Sequence, residues 1–265
     1  PFYIVERSDR ELVLSRNRLY WDTRNVKLDK IRVLFIENAA EITEAFNQGK
    51  IHWANNWETS LLIDRTKIVF NPLFATSYFF FVCEHPPWND ERVRRALALM
   101  LPWEEIRSES VIFATSRLIP PIPGYPEIEG LSKTNLDEAL SLLQEAGYPQ
   151  GRELPPIIIK VPEDSESERI AGVMAETWEK NIKLYVNILP YPYDRYLEEV
   201  KKTDYMLGSV IWIGDYADPL TFLQMWTGES NLNDARFSDH EFDRLIDESF
   251  SKEGVSRYEQ LGMAE

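Results

Sequence analysis

Cysteine is nearly absent: Cys83 stands alone in 265 residues, so no intramolecular disulfide can form. A chain of this length can bury a core without such staples, so one cysteine leaves the redox compartment open. Cys83 closes the run Tyr78-Phe79-Phe80-Phe81-Val82-Cys83, which reads as a strand and makes it a buried structural residue rather than a nucleophile. Histidine is equally scarce. His52, His85 and His240 lie far apart, with neither His-Glu-x-x-His nor Cys/His spacing, which argues against a zinc site and leaves structural or surface roles. There is no glycine-rich phosphate loop and no Gly-x-Ser-x-Gly elbow. No run approaches the roughly 20 apolar residues of a membrane span. Positive charge is also short. Against 29 Lys and Arg stand 44 Asp and Glu, a formal net charge of -15 without a basic cluster, so nucleic acid and anionic membrane surfaces are poor partners. The pattern of a signal peptide is missing, the first residue is Pro1, and a helical pattern is still running at Ala264-Glu265; these read as a segment of a longer protein, shortened at both ends.

What is present is enough apolar material for a substantial core, 44% of residues with 12% aromatic, which makes disorder the wrong default. Residues 2–5 and 11–14 read as two strands of a hairpin across Ser8-Asp9-Arg10. A strand over 31–36, a helix over 40–47 with Gly49 beyond its end, and a returning strand over 51–54 read as βαβ traffic. The aromatic strand 77–82 breaks at Pro86-Pro87, and Asn89 or Asp90 then caps a helix through Met100. Thr134 reads as the cap of a helix to Ala146, with Gly147 past its end. Strands at 157–161, 182–189 and 206–213 alternate with helices at 166–180 and 194–200, and further helices follow at 218–226 and 239–250, the latter capped by Asp239. The alternation predicts an α/β fold.

The most informative stretch is Gly208-Ser209-Val210-Ile211-Trp212-Ile213-Gly214-Asp215-Tyr216-Ala217-Asp218-Pro219. A buried strand runs into a turn and presents a carboxylate between two aromatic residues at its carboxyl end, where open α/β sheets bind ligands. Asp218 before Pro219 reads as a helix N-cap. Asp215 has no such role and is either a ligand carboxylate or a turn-stabilising side chain. With 44 carboxylates in the chain, a glycosidase-like pair is expected by chance, and Asp215 with Asp218, in one turn, is a poor one.

Several blocks resemble a known family. Residues Pro1-Phe2-Tyr3-Ile4-Val5, then Leu12-Val13-Leu14-Ser15-Arg16-Asn17-Arg18-Leu19-Tyr20-Trp21, are similar to its "G-[PA]-Y … L-x-R-N-x-x-Y-W" block. Phe46-Asn47-Gln48-Gly49-Lys50-Ile51-His52 resembles its "G-x-I-D" turn, with His52 in place of the acidic residue. The strongest block is Pro86-Pro87-Trp88-Asn89-Asp90-Glu91-Arg92-Val93-Arg94-Arg95-Ala96-Leu97, similar to "P-F-x-D-x-R-V-R-x-A", and residues 139–148 fit "A-x-x-L-L-x-E-A-G-Y". In order and spacing these resemble the extracytoplasmic solute-binding proteins of family 5, the oligopeptide, dipeptide and nickel receptors of ABC importers.

The resemblance implies α/β lobes of the periplasmic-binding-protein type II kind, each a mixed sheet flanked by helices, that close by hinge motion. Residues 1–74 are then the end part of a first lobe and 75–265 most of a second, ligand-binding lobe. It further implies a monomeric, non-catalytic receptor without a cofactor, outside the cytoplasm and in some members lipid-anchored, whose partners are an oligopeptide and a membrane permease. Asp215 matches the position that takes the peptide's α-ammonium. Main-chain groups around Ile211 to Ile213 match those that bond the peptide backbone, and Trp212 and Tyr193 are placed to wall side-chain pockets; with Tyr216 they make an aromatic set that could also stack a sugar ring. Cations for a peptide C-terminus are not evident, since Ser209 and Val200 stand near where some members carry Arg. Three other readings compete: the same fold taking an oligosaccharide, nickel chelate or haem; a glycosidase, which no motif supports; and a sensor or adhesin that borrowed the fold.

Overall fold

The computed structural model describes residues 1–69, 73–108 and 115–265, which divide into two compact units, Pro1–Pro72 and Leu73–Glu265. The first unit opens with β1 (Phe2–Arg7), β2 (Glu11–Arg16) and β3 (Lys30–Leu34), an antiparallel meander in that order. The Ser8 hydroxyl accepts the Arg10 and Glu11 N–H groups and so closes the predicted hairpin, while the register slips between Ile4 and Glu6. α1 (Ala39–Asn47) follows, its first turn closed by Asn38, which accepts the Glu41 N–H. The expected βαβ unit is not formed, because residues 51–54 pair with no strand. Local β propensity without a pairing partner leaves irregular chain.

The second unit is built on a four-stranded sheet of order β4-β7-β5-β6: β4 (Ala75–Phe81), β5 (Ile157–Pro162), β6 (Val186–Tyr191) and β7 (Leu207–Ile213). β5 pairs parallel with β6 and β7, and β4 runs antiparallel to β7, so the sheet is mixed. The β-branched run Ile157-Ile158-Ile159 is covered on both faces, as a central parallel strand must be. Trp88, α2 (Glu91–Leu99), α3 (Trp103–Ser108), α4 (Leu136–Glu145) and α5 (Ser165–Ile182) enclose the main core, where Val93, Leu97, Leu143, Ile157, Ile159 and Val161 are fully buried. α6 (Tyr193–Glu199) covers the opposite face through Tyr196, joined by Val200 just past its end. A third cluster gathers α7 (Leu220–Leu223), α8 (His240–Ser249) and α9 (Gly254–Ala264) around Phe222, Ile246 and Leu261. Among the described residues no helix is long and apolar enough to cross a membrane.

The helix signals hold, with shifts. Asp90 and Asp239 cap α2 and α8 as expected, and Asp164, which the sequence did not single out, caps α5, each accepting from the N–H of the second or third helical residue. α4 is capped by Asn135 rather than Thr134; the threonine hydroxyl instead donates to the Leu101 carbonyl, 2.5 Å away. Gly147, at φ 90°, takes the left-handed position past α4. The strand expected from 182 begins at Val186, because Ile182 completes α5 and Lys183 turns the chain at φ 57°. The helical stretch from 218 is a single α turn, Leu220–Leu223, continued as a 3-10 turn to Trp226. Cys83 is half-buried with its Sγ 3.4 Å from the Phe81 carbonyl oxygen, and burial pushes the thiol's pKa up, as for an unreactive residue.

Candidate functional site

β5, β6 and β7 end on the same side of the sheet, and the chain leaves β5 toward α5 on one face and reaches β7 from α6 on the other. Such a reversal opens a crevice at the carboxyl ends of the strands. β7 pairs with β4 along its whole length, from Ala75↔Ile213 to Phe81↔Leu207, but with β5 only at Leu207 and Gly208. From Ser209 onward β5 has left its side.

Tyr196 of α6 takes over at that point. Its hydroxyl donates to the Ser209 carbonyl and accepts the Ser209 N–H at 2.8 Å, so both main-chain groups of Ser209 point away from β4. Antiparallel pairs alternate in direction, so Ile211 and Ile213 also point their N–H and C=O groups away from β4. The Gly214 N–H, from the other set, bonds the Phe74 carbonyl at 2.7 Å, as the alternation requires. The result is a strip of main-chain donors and acceptors along an open strand edge. The Ile211 and Ile213 side chains are exposed beside it, on the sheet face they share with Ser77 and Ala75.

Asp215 follows directly. Gly214 brings the chain so near Phe74 and Thr221 that a Cβ there would lie 2.5 Å from Phe74 Cδ1 and 2.9 Å from Thr221 Cγ2. The Asp215 N–H donates to the fully buried Thr221 hydroxyl at 3.1 Å. Its carboxylate is exposed and has no hydrogen-bond or ion-pair partner among the described residues, so the turn-stabilising role left open by the sequence is not taken. Asp218 differs. Its Oδ1 accepts the Leu220 N–H at 2.9 Å, the capping role expected of it, and the Arg257 guanidinium grips both of its oxygens at 2.6 and 2.9 Å. Burial alone would raise its pKa, but the bonds from Arg257 and Leu220 outweigh it and hold the carboxyl below its ordinary value.

The strand end thus brings Ile211, Ile213, Asp215 and Tyr216 together. Tyr216 is partly exposed, and its phenol pKa is raised by burial first and by the nearby Asp218 charge second. Trp212 points the other way, against the cluster around Phe74 and Phe222, with its indole Nε1 buried and unpartnered among the described residues. Tyr193 lies exposed at the first residue of α6, at the same end of the sheet, and no contact joins it to Asp215 among the described residues. Sequence reasoning passed over Thr221, Tyr196 and Arg257. No local signal marks them, because each acts across a gap in the chain of 6, 13 or 39 residues.

A cavity of about 660 Å³ lies elsewhere, along β4, lined by Trp103, Met174, Trp226 and Phe242 but by none of residues 211–216. The three histidines are exposed and dispersed, and no cluster of three or more metal-binding side chains occurs among the described residues.

The family model for bacterial extracellular solute-binding proteins, family 5, matches residues 1–234. The oligopeptide-binding protein OppA of Bacillus subtilis (strain 168) is 27% identical over 273 residues, which cover 96% of this chain and 50% of that protein. Heme-binding protein A of Haemophilus influenzae is 30% identical, covering 94% of this chain and 48% of its own length. Among solved structures, the Escherichia coli murein tripeptide binding protein MppA superposes with a TM-score of 0.82 at 23% identity, over 100% of this chain and 55% of the other, a likeness of fold. The chain spans about half the length of the curated relatives it matches. With the family model covering all but the last 31 residues, the chain belongs to the bacterial extracellular solute-binding proteins of family 5.

Proposed function

We propose that this chain is the ligand-binding part of a non-catalytic peptide receptor that serves an ABC importer outside the cytoplasm. Residues 1–74 supply the end part of a first lobe and 75–265 most of the second. The observation that carries the reading is the unpaired, exposed Asp215 carboxylate at the end of an open strand edge. An extended peptide adds to that edge through the main-chain groups of Ile211 and Ile213, and its α-ammonium meets Asp215. A carboxylate with no internal partner is free to accept a charge-assisted bond, and that pair reads the peptide terminus without reading side chains. The oligopeptide-binding names of several relatives support the same reading. The permease partner, the monomeric state and a lipid anchor in the parent protein follow from the family reading.

Calorimetry with Ala-Ala-Ala and its N-acetyl form tests this. Asp215→Asn weakens binding of the free tripeptide by about 10- to 100-fold, the worth of a hydrogen bond to a charged group, and leaves the acetylated peptide unaffected. Equal affinities of wild type and variant for the free peptide overturn the ammonium assignment. A second reading, a haem receptor on the same fold, is favoured by the 30% identity to heme-binding protein A. A Soret shift on haem titration, without calorimetric heat from tripeptide, moves the assignment there.

A further inference from the structure

Arg257 sits four residues into α9, whose first turn carries no acidic residue. A cation at that end of a helix opposes the macrodipole, so helix stability does not account for it. Its partner accounts for it: both guanidinium arms engage Asp218, whose Oδ1 also accepts the Leu220 N–H. Both side chains are largely buried, at 19% and 24% exposure. From Asp218 the connections return to the candidate site. The Asp218 carbonyl accepts the Thr221 N–H at 3.3 Å, and the Thr221 hydroxyl accepts the Asp215 N–H. One guanidinium on a helix 39 residues away therefore ties down both ends of the turn that carries Asp215.

We propose that Arg257 is a positioning residue for the ligand site: through Asp218 and Thr221 it fixes the 214–221 turn and thereby aims the Asp215 carboxylate. It has a second effect. By neutralising Asp218 it leaves Asp215 as the one uncompensated carboxylate of the turn, so a single ammonium is matched by a single charge. The fork geometry matters, because a lysine ammonium cannot hold both oxygens in one plane.

This inference rests on the peptide-receptor reading, and its test separates the two. Arg257→Gln and Arg257→Lys are compared with wild type by two readouts. Amide hydrogen exchange reports the turn whatever the ligand is. Exchange at Asp215 and Leu220 rises about tenfold or more in Arg257→Gln while β5 and α5 stay protected, and Arg257→Lys falls between. Calorimetry reports the aim. The preference for Ala-Ala-Ala over its N-acetyl form shrinks by about tenfold in Arg257→Gln. Unchanged exchange in the turn overturns the proposal. So does faster exchange with an undiminished preference, which would make Arg257 a stability residue only. If Asp215→Asn leaves peptide affinity unaltered, the receptor reading fails by itself, and the exchange result still decides whether Arg257 holds the turn. Should Arg257→Gln fold poorly, Asp218→Asn is the second variant: it keeps the Leu220 cap, weakens the fork, and gives the same two signatures if the proposal holds.

Discussion

Trp178→Ala lowers the stability of the second unit by about 3–5 kcal/mol, the range for removing a large buried aromatic side chain. Trp178 is 1% exposed on the inner face of α5 and lies in the cluster with Leu97, Leu143, Ile157 and Ile159. Its indole does more than fill volume. Nε1 donates at 2.9 Å to the Leu97 carbonyl, which lies in the last turn of α2, where carbonyls lose their helical partners. Trp103 does the same for the neighbouring Ala98 carbonyl at 3.0 Å, so two indoles close the end of that helix. Trp178→Phe separates the contributions: it keeps most of the ring and forfeits the bond, for about 1–3 kcal/mol. Urea unfolding followed by circular dichroism checks both, with an unchanged slope confirming that stability alone has moved. A loss below about 1 kcal/mol for Trp178→Ala would mean that the core collapses freely into the space, contrary to its dense packing.

The strands of the second unit were legible because their β-branched and aromatic runs are long and end in turn residues, as in Ile157-Ile158-Ile159 and Val210-Ile211-Trp212-Ile213. The errors have local causes. Thr134 and Asn135 are both competent caps, and which one serves depends on where the Leu101 carbonyl stands, a tertiary fact. Ile182 reads as strand because no glycine marks the end of α5; Lys183 itself adopts the left-handed conformation. Residues 51–54 have strand-like chemistry but nothing to pair with. For the site, sequence located the turn and its aspartates but left Asp215 balanced between two roles. Its open carboxylate, and the loss of β5 beyond Gly208, are properties of register and packing that no local pattern carries. Trp212 shows the same limit: alternation along β7 turns its ring to the face opposite Ile211 and Ile213, into the core.

Lys160→Met destabilises the second unit by about 3 kcal/mol, the lower end of the range for breaking a buried ion pair from one side. Lys160 stands on the central strand β5 with its side chain 2% exposed, an unfavourable place for an ammonium. Each of its three donors is met: Glu199 Oε2 at 3.0 Å, the Glu199 carbonyl at 3.1 Å and Asp204 Oδ1 at 2.7 Å, with the Tyr205 ring 5.0 Å away. Desolvation alone would lower the lysine pKa, but the bonds to Asp204 and Glu199 reverse it and the net shift is upward. Hydrogen bonds from Lys202 first and Lys160 second hold Glu199 down at about 2. The signs give the pH window. The Glu199 contribution is complete above its unfolded value near 4.5 and is lost as pH falls from there toward 2; that of Lys160 is complete below 10.5 and is lost as pH rises through a folded value above that. Lys160→Met therefore shows a shallower acid limb than wild type, since one of the two partners holding Glu199 low is gone. Urea midpoints measured from pH 7 to pH 3 check this, and parallel acid limbs would show that Lys202 alone sets the Glu199 pKa. The consequence reaches the site. Glu199 ends the helix whose Tyr196 occupies the main chain of Ser209, where β5 gives way to the open edge. Loosening Lys160 from that helix end frees Tyr196 to shift, so the variant's exchange at Ser209 rises together with its loss of stability.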